Sequence, residues 1–240
     1  MNDLKRMALT VLVAALPLHS AAANEPPAIT DNAATLSKSR PVYKPPLRGA
    51  PAGRIGGGTR GATERESFSL QVLAPDHVGY TTQEQPCLYW YISKTTTYPI
   101  EVTVTERQAV KPLVEKLLKA PEQAGIQSVC LAAHDARLRP NVPYKWFVTL
   151  VTDAEHRSKD ILAGGIIEMV NAPETLSARL KSVESGRAPF IYAEEGFWYD
   201  ALGAISRMIE ASPKDADLRR QRSSLLEQVG LSEAAESGSR

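Results

Sequence analysis

The feature that most constrains this chain is a change of hydrophobic period near Val170. Before it, short runs of apolar and polar residues alternate between turn-forming clusters; after it, apolar residues recur at helical spacing. Phe68–Ala74 alternates, with Phe68, Leu70 and Val72 on one face, and Ile100–Thr105 does so through Ile100, Val102 and Val104. Cys87–Ser93 (CLYWYIS) is rich in aromatic and β-branched residues, the composition of a strand. Gly125–Ala132, Tyr144–Thr152 and Ile161–Val170 are also strand-like. Ala109–Leu118 stays open. Val110, Leu113, Val114, Leu117 and Leu118 fit a helix, yet Pro112 opposes a helix interior.

About seven strands separated by Pro, Gly, Asp or Lys-Thr-Thr-Thr predict an antiparallel sandwich of immunoglobulin-like or fibronectin-like type over residues 67–171. A local feature supports it. Leu138 and Pro140 precede Tyr144 at the start of the penultimate strand, the pattern of a tyrosine corner, whose hydroxyl bonds to upstream backbone. The fold class is mainly β, followed by a small helical segment, 172–231, packed on the sandwich. Asn171, Pro173 and Glu174 open the first helix. Phe197–Ala211 carries Trp198, Ala201, Leu202, Ile205, Met208 and Ile209 on one face. Ser212-Pro213-Lys214-Asp215 reads as the cap of the next helix, with Ser212 at the capping position. Leu218, Leu225, Leu226 and Val229 form that helix's stripe, Gly230 ends it, and 232–240 is expected to be a disordered tail. Gly196–Ala201 looks like part of a tetratricopeptide hairpin, but no 34-residue repeat accompanies it.

The N-terminus carries a different message. Lys5 and Arg6 precede an apolar run from Met7 to Leu18, and Ser20-Ala21-Ala22-Ala23 follows. Charge, apolar stretch and small residues make the pattern of a cleavable signal peptide over 1–23. The run is shorter than the ~20 residues a bilayer needs, so no transmembrane segment is expected after cleavage, and the mature chain is expected to be periplasmic or secreted. The chain has 28 basic and 27 acidic residues; losing Lys5, Arg6 and Asp3 leaves the charges balanced. That argues against nucleic acid as a partner. Export also bears on Cys87 and Cys130. In an oxidising compartment the pair reads first as a disulfide, closing a loop of about 44 residues worth roughly 4 kcal/mol. The alternative is two buried free thiols. No CxxC is present, so no metal and no cofactor is expected.

Residues 24–66 hold six Pro and six Gly and show no hydrophobic period. They read as a disordered leader. Within them, Arg48–Gly61 (RGAPAGRIGGGTRG) lacks the P-loop pattern. It is expected to cross or edge the domain, with Arg54 and Arg60 pairing to acidic groups or backbone carbonyls.

A series of motifs runs through the rest: PLRGAPAGRIGGGTRG, LAPD at Leu73–Asp76, Gly79-Tyr80-Thr81, Pro86 before the aromatic strand, GIQSVCL, Tyr144-Lys145-Trp146, GGIIEMV at Gly164–Val170, FWYDAL at Phe197–Leu202 and LLEQVGL at Leu225–Leu231. The series resembles the bacterial exported domain-of-unknown-function family numbered 928. The resemblance implies an exported bacterial protein and brings no activity, cofactor or catalytic residues. Its pattern does not include the two cysteines.

The remaining histidines, His77, His134 and His156, fall in turns or loops. No GxSxG elbow, HExxH or other nucleophile signature is present, so no catalytic residue is assigned. A hydrolase of unrecognised type would need a Ser or Asp clustered with His77 or His134. Asp200 is the best polar candidate, either buried and bonded to Arg54, Arg60 or backbone, or available to a ligand. Trp198 and Tyr199 are either an exposed anchor or an interdomain seam. The leading expectation is a non-enzymatic interaction module that binds another envelope protein. The alternative is a small-ligand or glycan sensor with a groove between sandwich and helices near Trp198, Tyr199 and Asp200.

Overall fold

A computed structural model describes residues 39–46, 53–58 and 68–239 of the chain. The expected signal peptide, most of the expected leader and Arg60 lie outside the described residues. The strands are β1 (Gly57–Gly58), β2 (Ser69–Val72), β3 (Gly79–Thr81), β4 (Cys87–Ile92), β5 (Ile100–Glu106), β6 (Val114–Leu118), β7 (Gly125–Cys130), β8 (Pro143–Leu150) and β9 (Ile161–Met169). The helices are α1 (Glu174–Lys181), α2 (Ala188–Glu194), α3 (Trp198–Ala211), α4 (Ala216–Glu227) and α5 (Ser232–Ser239).

The strands form a four-stranded sheet, ordered β1-β2-β4-β7, and a five-stranded sheet, ordered β3-β9-β8-β5-β6. Every pair is antiparallel except β3 with β9. Leu70, Val72, Leu88, Trp90 and Ile92 of the first sheet share one core with Val102, Val104, Trp146, Val148, Ala163 and Ile167 of the second. The helices lie on the other face of the four-stranded sheet and reach the β3 edge of the five-stranded one: α3 packs on β4 and β3, and α5 on β7. The order of layers follows from the strands themselves. In CLYWYI five of six residues are buried, so β4 has neighbours on both faces. In IEVTVTE burial alternates, so β5 has a partner on one face only.

Helical spacing in 109–118 proves misleading. β6 is a strand, and Val110, Leu113 and Leu117 are 100%, 37% and 64% exposed. Tyr144 is buried, and its hydroxyl accepts the Arg139 N–H at 3.3 Å, the backbone tie expected of this tyrosine. The cap of α4 is Asp215 and not Ser212. Residues 213–214 make a turn, and the Asp215 carboxylate accepts the N–H groups of Asp217 and Leu218 at 2.8 and 3.3 Å. The expected tail also needs correcting: 232–239 is α5, whose Ala234 and Ala235 are buried. Ser223 Oγ donates to Ala235 O at 2.7 Å. Two alanines pack closely enough to make a short polar helix stable by tertiary contact.

The expected leader is ordered in two places. Ile55 exchanges both backbone hydrogen bonds with Gly164 on β9, at 2.8 and 2.9 Å. β1 pairs with β2 in the other sheet. One short segment therefore ties both sheets together along that edge, satisfying backbone groups an open edge would leave bare. Residues 41–46 run against α2, with Lys44 N donating to Ala193 O at 3.0 Å and Tyr43 buried.

Candidate functional site

The first turn of α3 joins the helical layer to both sheets. Gly196 precedes it with φ +82°, and a Cβ there would stand 2.9 Å from Lys44 O. Only glycine fits both the left-handed backbone and the close approach of residues 44–46. Successive residues on a helix point about 100° apart, so Trp198, Tyr199 and Asp200 reach in three directions. Trp198 Nε1 donates to Leu73 O at 2.8 Å. Tyr199 Oη accepts from Trp146 Nε1 at 2.8 Å and donates to Ile166 O at 3.1 Å. Its ring occupies the space beside Gly79, where a Cβ would lie 2.5 Å from it.

Asp200 accepts from Thr82 N at 2.8 Å, Thr82 Oγ1 at 2.8 Å and Gln83 Nε2 at 3.0 Å. Burial holds its carboxyl above the usual carboxylate range, against the opposing pull of those bonds. Its position in the first turn of a helix favours the charge it carries. Burial likewise pushes the Tyr199 phenol well above its ordinary value, so it stays protonated and can donate.

Trp198, Tyr199 and Asp200 are 0%, 2% and 0% exposed. The seam is filled by its own side chains, and the groove expected there is absent among the described residues. Asp200 is bonded to Thr82 and Gln83 and not to Arg54. Arg54 does take backbone carbonyls: Nη1 donates to Ala74 O and Val229 O, both at 2.9 Å, and Nη2 to Gly230 O at 3.4 Å. It ties the β1 segment to the carbonyl end of α4, where the helix presents unpaired acceptors. Cys87 and Cys130 are joined in a disulfide between registered partners on β4 and β7.

Beside this seam His77 is clustered with an Asp, the kind of pairing a hydrolase would need, and with Tyr43, which sequence reasoning did not single out. Asp76 Oδ1 meets His77 Nδ1 at 3.1 Å, and His77 Nε2 meets Tyr43 Oη at 3.0 Å. Tyr43 also packs edge-on against Trp198, with centroids 5.0 Å apart. The His77 hydrogen bond holds the Asp76 carboxyl below its ordinary range, while burial drives the Tyr43 phenol far above its own. The chain has the form of a carboxylate–imidazole–hydroxyl relay. Its terminal hydroxyl belongs to a buried tyrosine, where the template relay ends in a serine. The adjacent pair Asp76-His77 is visible in the sequence; its link to Tyr43 crosses the leader and is not.

The accessible surface with concentrated features is the outer face of the five-stranded sheet. An open cleft of about 350 Å³ there is lined by Glu101, Thr103, Phe147, Thr149, Arg157, Asp160 and Leu162. The Phe147 ring lies across Gly164, 2.5 Å from where a Cβ would be. Arg157 binds both Glu101 and Asp160. Those two carboxylates hold its guanidinium above its ordinary range, the Glu101 bonds contributing most.

A two-sheet β domain with a C-terminal helical layer, a filled seam and a sheet face left bare among the described residues defines the class of this molecule. The chain belongs to the family described as Domain of Unknown Function (DUF928), whose model matches residues 55–238. No curated protein and no solved structure matches it.

Proposed function

We propose that this chain is a non-enzymatic protein-interaction module of the cell envelope, docking another protein on the bare face of its five-stranded sheet. One observation carries the reading: among the described residues the helices lie on the four-stranded side, and the outer face of the five-stranded sheet presents apolar side chains to solvent. Leu113, Leu117 and Leu162 are 37%, 64% and 38% exposed along that face, with Val110 fully exposed at the hairpin that leads into β6. Lys116 at the centre of β6 is a charge that discourages indiscriminate edge pairing, so recognition falls to the face. A disulfide suits an oxidising compartment, which agrees with the export pattern of residues 1–23.

We infer the finer fold as well. Leaving aside β1 and β3, the first, second and fifth strands share one sheet and the others share the second. That distribution, with the Tyr144 tie, supports an immunoglobulin-like or fibronectin-like sandwich. The docking test places a photo-reactive residue at Leu117 and, as control, at exposed Glu227 on α4. Discrete adducts in the envelope fraction from position 117, lost on adding Leu113→Asp, are the expected result. Equal adducts from both positions, or none at native abundance, would sink the reading.

A second reading, a small-ligand or glycan sensor, is favoured by the cleft over Phe147, whose aromatic floor and charged rim suit a polar ring. Thermal unfolding with envelope glycans should show stabilisation that Phe147→Ala abolishes; no shift with any of them removes its support.

A further inference from the structure

On the helical layer, α3 and α4 bring together arginines that the docking reading does not use. Arg207 and Glu210 stand one turn apart on α3, and Arg219 and Arg222 one turn apart on α4. Beneath them the hydroxyl of buried Tyr89, with Ser206 beside it, lies in the field of Arg207, Arg222 and Glu210. Elsewhere in the described residues Arg137, Arg139, Arg157, Arg179 and Arg220 each meet a carboxylate. Arg207, Arg219 and Arg222 meet none among the described residues. Arg219 donates to Pro213 O, yet its Nε and that of Arg222 are buried with no hydrogen-bond partner.

Such an arrangement is costly unless something answers it. Like charges repel, and a buried charged donor left unpaired loses its hydration without replacement. Burial, then the neighbouring charge of Arg219, draws the Arg222 guanidinium below its ordinary range, with Tyr89 and Glu210 opposing. Arg207 is exposed, and Arg219 and Arg222 are half-buried, so part of each residue remains at the surface; Arg222 Nη2 lies beside α5, 3.6 Å from where a Cβ on Gly238 would stand. Planar guanidinium forks match the oxygens of phosphate and carboxylate groups.

We propose that the α3–α4 face above Tyr89 is an oxyanion-binding site, with Arg219 and Arg222 as the principal donors and Arg207 at its rim. The Tyr89 hydroxyl supplies a further donor, and Glu210 competes with the ligand for the same arginines. The site lies on the layer opposite the bare sheet face, so its test stands apart from the docking reading.

Thermal unfolding of the full chain decides it. Inorganic phosphate is titrated against chloride at constant ionic strength, with acetate as a second arm. The expected result is a saturable rise in Tm that Arg219→Gln and Arg222→Gln abolish. Glu210→Gln should shift the midpoint several-fold to lower concentration. A response to phosphate alone assigns a phosphate group, to acetate alone a carboxylate, and to both an unselective oxyanion site. Arg207→Gln, altered at the exposed rim, keeps the test open should the α4 variants not fold; it should raise the midpoint several-fold. No rise in either arm, or a rise that the arginine variants share with the wild type, overturns the proposal.

Discussion

At the scale of the residue, Asp200 shows how a polar side chain becomes structural. It sits fully buried and holds the Thr82–Gln83 corner onto the first turn of α3. Asp200→Ala leaves the Thr82 N–H and the Gln83 amide unanswered, and should cost about 3 kcal/mol in urea unfolding. Asp200→Asn keeps an acceptor and should cost less. The two also separate in pH. Burial raises the folded carboxyl above its unfolded value, so the folded state binds this proton more tightly. The corresponding stability is fully present below the unfolded pKa and is lost as pH rises through the folded one. The stability of the wild type relative to Asp200→Asn should therefore grow as the medium is acidified from neutrality; a constant difference would contradict the burial argument. An aromatic pair beside an acid on an amphipathic stripe makes this seam legible in the sequence. Its partners Thr82 and Gln83 are not, because they lie 118 and 117 residues away.

Elements show a sharper division. β2, β4, β5, β8 and β9 declare themselves by period or composition, because each presents at least one continuous buried face. β1 and β3 contain two and three residues, too few for any period to register. They are strands because neighbouring edges supply partners. The β1 segment depends on Arg54, which draws three carbonyls from two distant parts of the chain. Arg54→Ala should destabilise by about 1–2 kcal/mol. It should also release hydrogen-exchange protection at the Ile55 and Gly164 amides ahead of the core. Lysine, a point charge without the planar fork, should restore that protection only in part. Protection unchanged in Arg54→Ala would show that the Ile55–Gly164 bridge holds by itself. The end of the chain makes the same point: 232–239 looks like a frayed tail because its buried apolar residues are only small alanines, Ala234 and Ala235.

For the whole molecule, the Cys87–Cys130 bridge ties neighbours within one sheet and leaves the union of the two sheets to packing and to the β1 segment with its Ile55–Gly164 bridge. Replacing both cysteines with serine should lower stability by roughly 4 kcal/mol through the loop it closes, with the far-ultraviolet spectrum of the folded state unchanged. A loss of β signal would mean that the bridge shapes the native sheet as well. The sequence by itself determined the strand-then-helix order, the strand composition of β4 and the chemistry that makes a disulfide sensible. Those are local properties, carried by periodicity and composition over a few residues. Only the tertiary structure decided that the seam is filled, that the outer face of the five-stranded sheet is bare among the described residues, and that Arg207 and Arg222 come near Tyr89. Such outcomes depend on which surfaces meet after distant segments pack, and no short-range pattern encodes the partner that a side chain finds a hundred residues away.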